Sequence, residues 1–582
     1  MSETDQEPRI RGLAAVVGLL FTILVLRLFY LQIATSEDYL RESDDNRIDK
    51  MRIKAPRGLI MARDGEILAQ NGAFYTISLI RSTKGNFEAA VNALHEAIGG
   101  PPIAGRYTKK SSSIRLKRDV DFRTVAIVEE VLKDEWPMAI EIEAKRNYPA
   151  DRLAAHLIGY MGLPQEQEQA ADFLGITGVE KLYEHTLRGI DGVRFVEVDA
   201  RNRIRRDFPD EEKPSVSGQN LVLTIDYDIQ RAAEHALPDS VPGSVVALDA
   251  RTGAVLAMVS KPAFDPNIFI SFQDQEQRLQ VINSPTEPLL NRATKGTYPP
   301  GSTLKLIGAV AALETGITDT LSTFEACAGS LQVGDTTFRC FKRDGHGELN
   351  LLEAVETSCN IYFLHLAQLL GMETWRDYAQ RFGFGESTGI NLYPEDEAGL
   401  LPDRQYYVET EGWTQGHLMN LVIGQGSILT TPLQVARYTA ALGNGGHLVS
   451  PHIAGPAPAT TAIQDVSDAT LDVIRRCMRR VVYGKRGTGR RAWVADVEVA
   501  GKSGTAQVPN RNDDAWFVSF APYDDPTIAV AVVVEGGGSG GLVAAPIASK
   551  VMDAHFAQQR SALLREDDRP LSLAVADTGN GP

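Results

Sequence analysis

TYPPGSTLKLIG (Thr297–Gly308) runs two prolines and a glycine straight into an apolar stretch. Pro299, Pro300 and Gly301 end whatever precedes them, and STLKLIGAVAALE has helical spacing with Ser302 in its first turn. Positions three apart share a helix face, with Cβ atoms roughly 5–6 Å apart. Ser302 and Lys305 are therefore stacked at the opening of a helix otherwise made of Leu, Ile, Val and Ala. A helix apolar on all sides belongs in a core. Two readings compete. Ser302 is an N-cap and Lys305 carries its ammonium out to water, or Lys305 is the base that activates Ser302. A Ser-x-x-Lys match alone does not separate them.

The chain has 582 residues, 43% hydrophobic and 23% charged, enough for two to four domains with full cores. A net charge of −16 argues against nucleic acid, which selects basic faces. Leu13–Ala34 breaks from the soluble pattern: Leu13–Leu26 holds no charge, and apolar residues resume after Arg27. About 20 such residues span a bilayer, and no small-x-small cleavage site follows, so an uncleaved anchor is expected at 13–34. Basic residues flank it on both sides and leave its orientation open.

Beyond the anchor, APRGLIMARDGEILAQN (Ala55–Asn71) alternates around an Asp64-Gly65 turn and predicts strands. RNYPADRLAAHLIGYMG (Arg146–Gly162) and GITGVEKLYEHTLRGIDG (Gly175–Gly192) predict helices ended by glycine. DEEKPSVSG (Asp210–Gly218) reads as a boundary. A larger unit follows. GSVVALDARTGAVLAMVS (Gly243–Ser260) predicts a hairpin, the middle from Ser302 to about Gly443 is mostly helical, and DVEVAGKSGTAQV, DAWFVSFAP and PTIAVAVVVEG predict further strands. Strands at both ends with helices between them predict an α/β sandwich whose antiparallel sheet is built from both ends of the unit. The domains expected are a tail at 1–12, the anchor at 13–34, a non-catalytic unit at 35–215, the sandwich at 216–557 and a disordered tail at 558–582.

Two more motifs lie in the sandwich. TSCNIYF gives Ser358-Cys359-Asn360, and AGKSGTAQV gives Lys502-Ser503-Gly504-Thr505 on a predicted strand. Each alone reads equally well as a cap or a surface turn. In the order Ser-x-x-Lys, Ser-x-Asn, Lys-Ser-Gly, spaced 56 and then 144 residues apart, they resemble the penicillin-recognising serine acyltransferases. The chemistry calls for these residue types. A serine hydroxyl is a poor nucleophile until a base removes its proton. Burial, a helix N-terminus and nearby Lys502 all disfavour the ammonium of Lys305. Ser358 can relay a proton, Asn360 can hold a substrate backbone group, and Lys502 with Ser503 offers a cation and a hydroxyl to a carboxylate. Gly504 lets a peptide pair with the strand. By resemblance, the backbone N–H groups of Ser302 and Thr505 form the oxyanion hole.

PRGLIMARDGEILAQN, RNYPADRLAAHLIGYMG and GVEKLYEHTLRGIDG resemble pedestal segments of the class B penicillin-binding proteins, and YPPGSTLK, SCNIYF, GQGSILTTPLQVARYTAAL and GKSGTAQV resemble their transpeptidase domain. The likeness covers the chain from the anchor to about residue 555. It implies an α+β multidomain protein: a single N-terminal transmembrane helix, an elongated pedestal, and a transpeptidase α/β sandwich with a central antiparallel sheet. It implies a bitopic protein of the bacterial inner membrane with its catalytic domain in the periplasm. The activity implied is D,D-transpeptidation of peptidoglycan stem peptides, with β-lactams as inhibitors acylating the same serine. No glycosyltransferase domain is expected before the pedestal, so the partners implied are a SEDS-type glycan polymerase and other elongation-complex membrane proteins. In VDARNRIRR, Asn202 stands where the family commonly has glycine, which concerns local turn geometry only.

Cys327, Cys340, His346 and Cys359 follow a C-x12-C-x5-H-x12-C spacing, with His346 in a Gly-His-Gly turn. A Cys3His set suits a structural zinc, a Cys327–Cys340 disulfide suits an oxidising compartment, and free thiols are the third reading. The chemistry itself needs no cofactor. FRCFKRDGHGELNLLEAVETSCN resembles the elongation-type branch of the class. Cys477, in RRCMRR, reads as an ordinary helix position. The rival functions are a division-type transpeptidase, a membrane-anchored β-lactamase or penicillin sensor, and a scaffold that activates a polymerase.

Overall fold

IAVAVVV at Ile528–Val534 has no polar face to offer water, so the strand it forms must be covered on both sides. The computed structural model describes residues 7–35, 48–80, 87–99, 113–131, 138–162, 173–198, 204–271 and 274–567. It places this strand at the centre of a five-stranded antiparallel sheet. In chain order the strands are β1 (Gly243–Asp249), β2 (Val255–Lys261), β3 (Ala500–Ala506), β4 (Asp514–Ala521) and β5 (Ile528–Val534), arranged β2-β1-β5-β4-β3. Side chains alternate between faces along a strand, and here each face has its own core. Ala529, Ala531 and Val533 join Trp516, Val518 and Phe520 in one; Val530, Val532 and Val534 join Ala515 and Phe517 in the other. Gly243 pairs with Val534, so the sheet is assembled from both ends of the unit, as the strand pattern predicts.

The helices that matter are α1 (Lys305–Glu314), α2 (Asn360–Leu370), α3 (Pro432–Gly443), α4 (Asp468–Tyr483) and α5 (Gly540–Asp567). α3 lies against β1 and β5, α5 covers β4 and β5, and α1 is enclosed by α2 and α4. Leu306, Ile307 and Val310 of α1 are fully buried, each contributing roughly 1.5–3 kcal/mol by leaving water. α3 starts where the sequence tells it to: Thr431 and Gln434 form a reciprocal cap, and Pro432 occupies the first turn. One element was not expected. Inside the helical stretch, Ser330–Val333 and Thr336–Arg339 form a hairpin around Gly334-Asp335. Its strands are four residues each and largely exposed, so the apolar pattern carries little signal.

Contacts divide the chain into two units, residues 1–57, 73–144 and 188–218 against residues 58–72, 145–187 and 219–582. The segments 58–72 and 145–187 therefore cluster with the larger unit although they precede residue 216 in the chain. The reason is a buried polar tie. Arg146 Nε donates to Glu180 Oε1 at 2.7 Å and its Nη1 to Gly58 O at 2.7 Å, while Gly58 N–H reaches Leu187 O at 2.8 Å. Leu157, Val179 and Leu187 share one core with the first face of the sheet. The smaller unit contains a three-stranded antiparallel sheet, with Gly192–Val198 between Ile48–Ile53 and Ile204–Asp207. It also has a small core where Leu94, Val125 and Val128 of two helices meet Ile77, Leu116 and Val120.

The helix Glu7–Phe29 opens the described chain, and Gly12–Ile33 has mean hydropathy 2.4 with none of it buried. Length and composition fit a single-pass membrane anchor. At the other end α5 continues to Asp567, ten residues past the expected end of the sandwich at 557; residues 568–582 lie outside the described residues, as does Asn202.

Candidate active site

Ser302 does not sit on an α-helical turn. Gly301–Leu304 is a 3-10 turn and α1 begins at Lys305, so hydroxyl and amine are joined by a tighter turn than expected. Two glycines make this turn possible. Gly301 has φ +56°, and its N–H donates to Gly424 O at 2.9 Å; a Cβ on Gly424 would lie 1.9 Å from Gly301 O. Thr303 Oγ1 donates to Pro300 O at 2.7 Å and Tyr438 Oη to Thr303 O at 3.2 Å, which pins the turn from behind.

Lys305 and Lys502 are both fully buried. Lys305 Nζ donates to Asn360 Oδ1 at 2.6 Å and to Ser358 O at 2.8 Å, with Ser358 Oγ at 3.4 Å. Lys502 Nζ donates to Ser358 Oγ at 2.8 Å and to Ser503 O at 2.8 Å. Among the described residues Lys305 forms no hydrogen bond with Ser302 Oγ; catalytic contacts of this kind often tighten only with substrate bound. Burial brings the Lys305 ammonium down to about 8, partly offset by the thiols of Cys359 and Cys340. Burial, then the charge of Lys305, pushes Lys502 well below the usual lysine range. Both amines thus give up a proton more readily than an exposed lysine, and the neutral fraction of such an amine is a base. Ser358 bridges them in a left-handed conformation, φ +53°, a strained geometry for a side chain other than glycine.

β3 is an edge strand, so one side of Lys502–Thr505 lacks a ladder partner from the sheet. Ser503 Oγ donates to Thr488 Oγ1 at 2.7 Å. Thr488 was missed by sequence reasoning, and so was the residue that places it. Glu356, with 2% of its side chain exposed, accepts from Arg480 Nε at 2.8 Å, Arg480 Nη2 at 2.5 Å and the Arg486 N–H at 2.8 Å. Thr488 Oγ1 donates to Glu356 O at 3.4 Å. One buried carboxylate two residues before Ser358 therefore holds the loop that carries Thr488 to Ser503. No spacing rule in the sequence signals it. A cleft of about 840 Å³ opens over Ser302, Ser358, Asn360, Ser503, Gly504 and Thr505. Every residue expected in the acyl-transfer constellation lines this cleft or hydrogen-bonds to a residue that does.

The four metal-type residues also converge. One ligand atom from each of Cys327, Cys340, His346 and Cys359 lies within 4.8 Å of the others, and His346 Nδ1 is 3.4 Å from Cys340 Sγ and 3.7 Å from Cys327 Sγ. Bonds of about 2.3 Å to sulfur and 2.0–2.1 Å to nitrogen at tetrahedral angles put S and N about 3.5 Å apart, so the donor set and spacing fit zinc. All four cysteines are free, so the Cys327–Cys340 disulfide reading is not what the structure holds. The Cys340 thiol is held down by its hydrogen bond with Cys359 and then His346; that same bond, with burial, pushes Cys359 up. The two titrate as one pair. Cys477 is buried in α4, with its thiol pushed up to about 12 by burial.

Residues 243–553 match the family model described as penicillin binding protein transpeptidase domain, and residues 52–223 match the penicillin-binding protein dimerisation domain. The chain is 32% identical to the peptidoglycan D,D-transpeptidase MrdA of Acinetobacter baumannii, over 100% of this chain and 93% of that protein. Its structure resembles the Helicobacter pylori penicillin-binding protein PBP2 solved in complex with MreC, with TM-score 0.76, 26% identity and coverage of 88% and 99% of the two chains. It also resembles a chain from a peptidoglycan synthase complex that coordinates polymerization and crosslinking, with TM-score 0.71, 28% identity and coverage of 94% and 98%.

Proposed function

This chain belongs to the penicillin-binding protein transpeptidase family, and from that premise we propose that Ser302 is the nucleophile of an elongation-type peptidoglycan D,D-transpeptidase. The observation that carries the reading is the pair of buried lysines meeting at Ser358, beside a serine at the head of the cleft.

Ser302 Oγ attacks the carbonyl carbon of the penultimate D-Ala and gives its proton to neutral Lys305. The N–H groups of Ser302 and Thr505 receive the oxyanion. As the C–N bond breaks, the proton passes through Ser358, 3.4 Å from Lys305 Nζ and 2.8 Å from Lys502 Nζ, to the departing amine of the terminal D-Ala. The amine of a second stem then attacks the Ser302 ester, its proton returns by the same route, and the serine is released with a new peptide cross-link. Asn360 holds the stem's amide, Lys502 and Ser503 its terminal carboxylate, and the free edge at Gly504 pairs with its backbone.

The N-terminal helix anchors the chain in the bacterial inner membrane, with the catalytic unit in the periplasm. A SEDS-type glycan polymerase and other elongation-complex membrane proteins are the partners; the likeness to a component of a polymerising and crosslinking complex supports this. Cys327, Cys340, His346 and Cys359 hold one structural zinc, which fastens the strand end at Cys340 to the residue between Ser358 and Asn360 and takes no part in acyl transfer. Metal analysis of the purified full chain tests it: about one zinc per chain is expected, and a metal-free folded protein rejects it.

The function is tested by the intact mass of the full-length chain in detergent after incubation with a penicillin. A stable single adduct on wild type and none on Ser302→Ala is expected. A folded wild-type chain that takes no adduct overturns the acyl-enzyme, and rapid loss of the adduct points to a β-lactamase.

A further inference from the structure

On an edge strand such as β3, every second residue turns its N–H and C=O away from the ladder. Ser503 and Thr505, two apart, share a side, and both of their carbonyls are taken by side chains. Ser503 O accepts from Lys502 Nζ at 2.8 Å, and Thr505 O accepts from Gln425 Nε2 at 3.4 Å. A Cβ on Gly301 would lie 2.9 Å from Thr505 O, so this carbonyl lies against the turn that carries Ser302. The two covers differ. Lys502 is fully buried and its bond is short. Gln425 is half-buried in the wall of the cleft, which Ser302 and Thr505 also line, and its bond is longer than the usual range of about 2.7–3.2 Å. Its backbone is held more firmly than its side chain. It runs between two left-handed glycines, Gly424 at φ +72° and Gly426 at φ +80°, and its N–H donates to Asn420 O at 2.8 Å. The carboxamide can therefore leave Thr505 while the turn beneath the nucleophile stays in place.

Resting on the acyl-transfer reading above, we propose that Gln425 is a specificity-determining residue whose carboxamide stands in, at Thr505 O, for the amide N–H of a bound ligand. A ligand that brings an N–H to this edge displaces the carboxamide and pairs with Thr505 O itself. A ligand without one leaves Gln425 where it is, so the carbonyl keeps a donor after the filled cleft has excluded water. An acceptor shut away with no donor costs more than an average hydrogen bond contributes. Gln425 thus lessens the preference of the cleft for an amide and widens the set of ligands that can reach Ser302. It acts on the choice of ligand, since its carboxamide meets Thr505 and not the Lys305–Ser358–Lys502 route.

The test uses the full-length chain in detergent and two penicillins that differ at one position. Benzylpenicillin carries an amide N–H one carbon from the carbonyl that Ser302 attacks, the place of a stem's own peptide N–H. Its ester isostere has oxygen there instead. Intact mass followed over time gives the second-order acylation rate for each. Gln425→Met keeps the bulk of the side chain and removes its donor. The ratio of amide to ester rates is expected to be about tenfold higher in Gln425→Met than in wild type, the cost of one acceptor left without a donor. Gln425→Ala should move the ratio the same way, and a thermal melt shows that each variant is folded. A ratio unchanged or lowered in the folded variants, or a wild type that reacts with benzylpenicillin and not at all with the ester, overturns the stand-in. A wild type that takes neither penicillin overturns the acyl-transfer reading instead.

Discussion

Glu356→Ala removes the carboxylate that organises the loop behind Ser503. Breaking a buried pair costs about 3–5 kcal/mol when the surviving charge stays buried. Arg480 has 40% of its side chain exposed and can turn to water, which sets this loss at the lower end. The Arg486 N–H loses its acceptor as well, worth about 1 kcal/mol. The sum is about 3–4 kcal/mol. In a unit this large each kcal/mol moves the midpoint by about 1–2 °C on the trend of domain size, so the transition of the full-length chain should fall by about 3–8 °C. Glu356→Gln keeps an acceptor for Arg486 and should lose about half as much. Function should follow stability here, because Thr488 is carried by the same loop and meets Ser503 at 2.7 Å. A loosened Ser503 should slow penicillin acylation about tenfold in Glu356→Ala, an effect of the size lost with one charge-assisted contact. The assays are a thermal melt and the second-order acylation rate. A Glu356→Ala chain that melts within about 1 °C of wild type, or that melts early but acylates at the full rate, refutes the coupling of this carboxylate to the site.

Gly424→Ala should reduce acylation about a hundredfold, the penalty for a misplacement near 1 Å, since its Cβ would lie 1.9 Å from Gly301 O under the nucleophile; an unchanged rate dismisses the close approach. Glu180→Ala should cost about 3–5 kcal/mol in chemical denaturation because Arg146 stays buried, and Arg146→Met/Glu180→Met should recover much of it. His156 is buried with its Nε2 2.7 Å from Pro288 O, and burial lowers it to about 4. The unfolded chain binds that proton below about 6.5, so the stability is present above pH 6.5 and lost as pH falls toward 4, by on the order of 3 kcal/mol in all. Melts between pH 6.5 and 4.5 should fall less steeply for His156→Gln than for wild type; equal slopes count against it.

What could be read in advance follows from where information is local. β5 is a continuous apolar run, and nothing but a strand covered on both faces suits it. Ser302, Lys305, Ser358, Asn360 and Lys502 could be brought together because three short motifs in fixed order resemble those of the penicillin-recognising serine acyltransferases, although each motif is commonplace alone. The 3-10 turn at Ser302 was not legible, since it depends on Gly424, 122 positions after the serine, touching Gly301. Glu356 was invisible for the same reason: a glutamate in LLEAVE reads as surface until Arg480 and the Arg486 N–H arrive from another part of the chain. The division into units also departed from chain order, because Arg146 donates to Gly58 O, 88 positions earlier, and Leu157, Val179 and Leu187 join the core of the sheet.

The pairing of Gly243 with Val534 bears on how the protein is made. β1 emerges from the ribosome roughly 290 residues before the central strand it needs, an interval on the order of 15–60 s at 5–20 residues per second. On the periplasmic orientation proposed above, until β5 has been synthesised and moved across the membrane, β1 and β2 are a two-stranded hairpin with a bare apolar edge and the Lys502 strand has nowhere to dock. A nascent chain therefore holds Ser302 without its second lysine. It should be unable to react with penicillin until export is nearly finished, and it should depend on whatever shields exposed strands during that wait. Chains truncated between Gly443 and Ile528 should accumulate as protease-sensitive species even though every residue of α1 is already present.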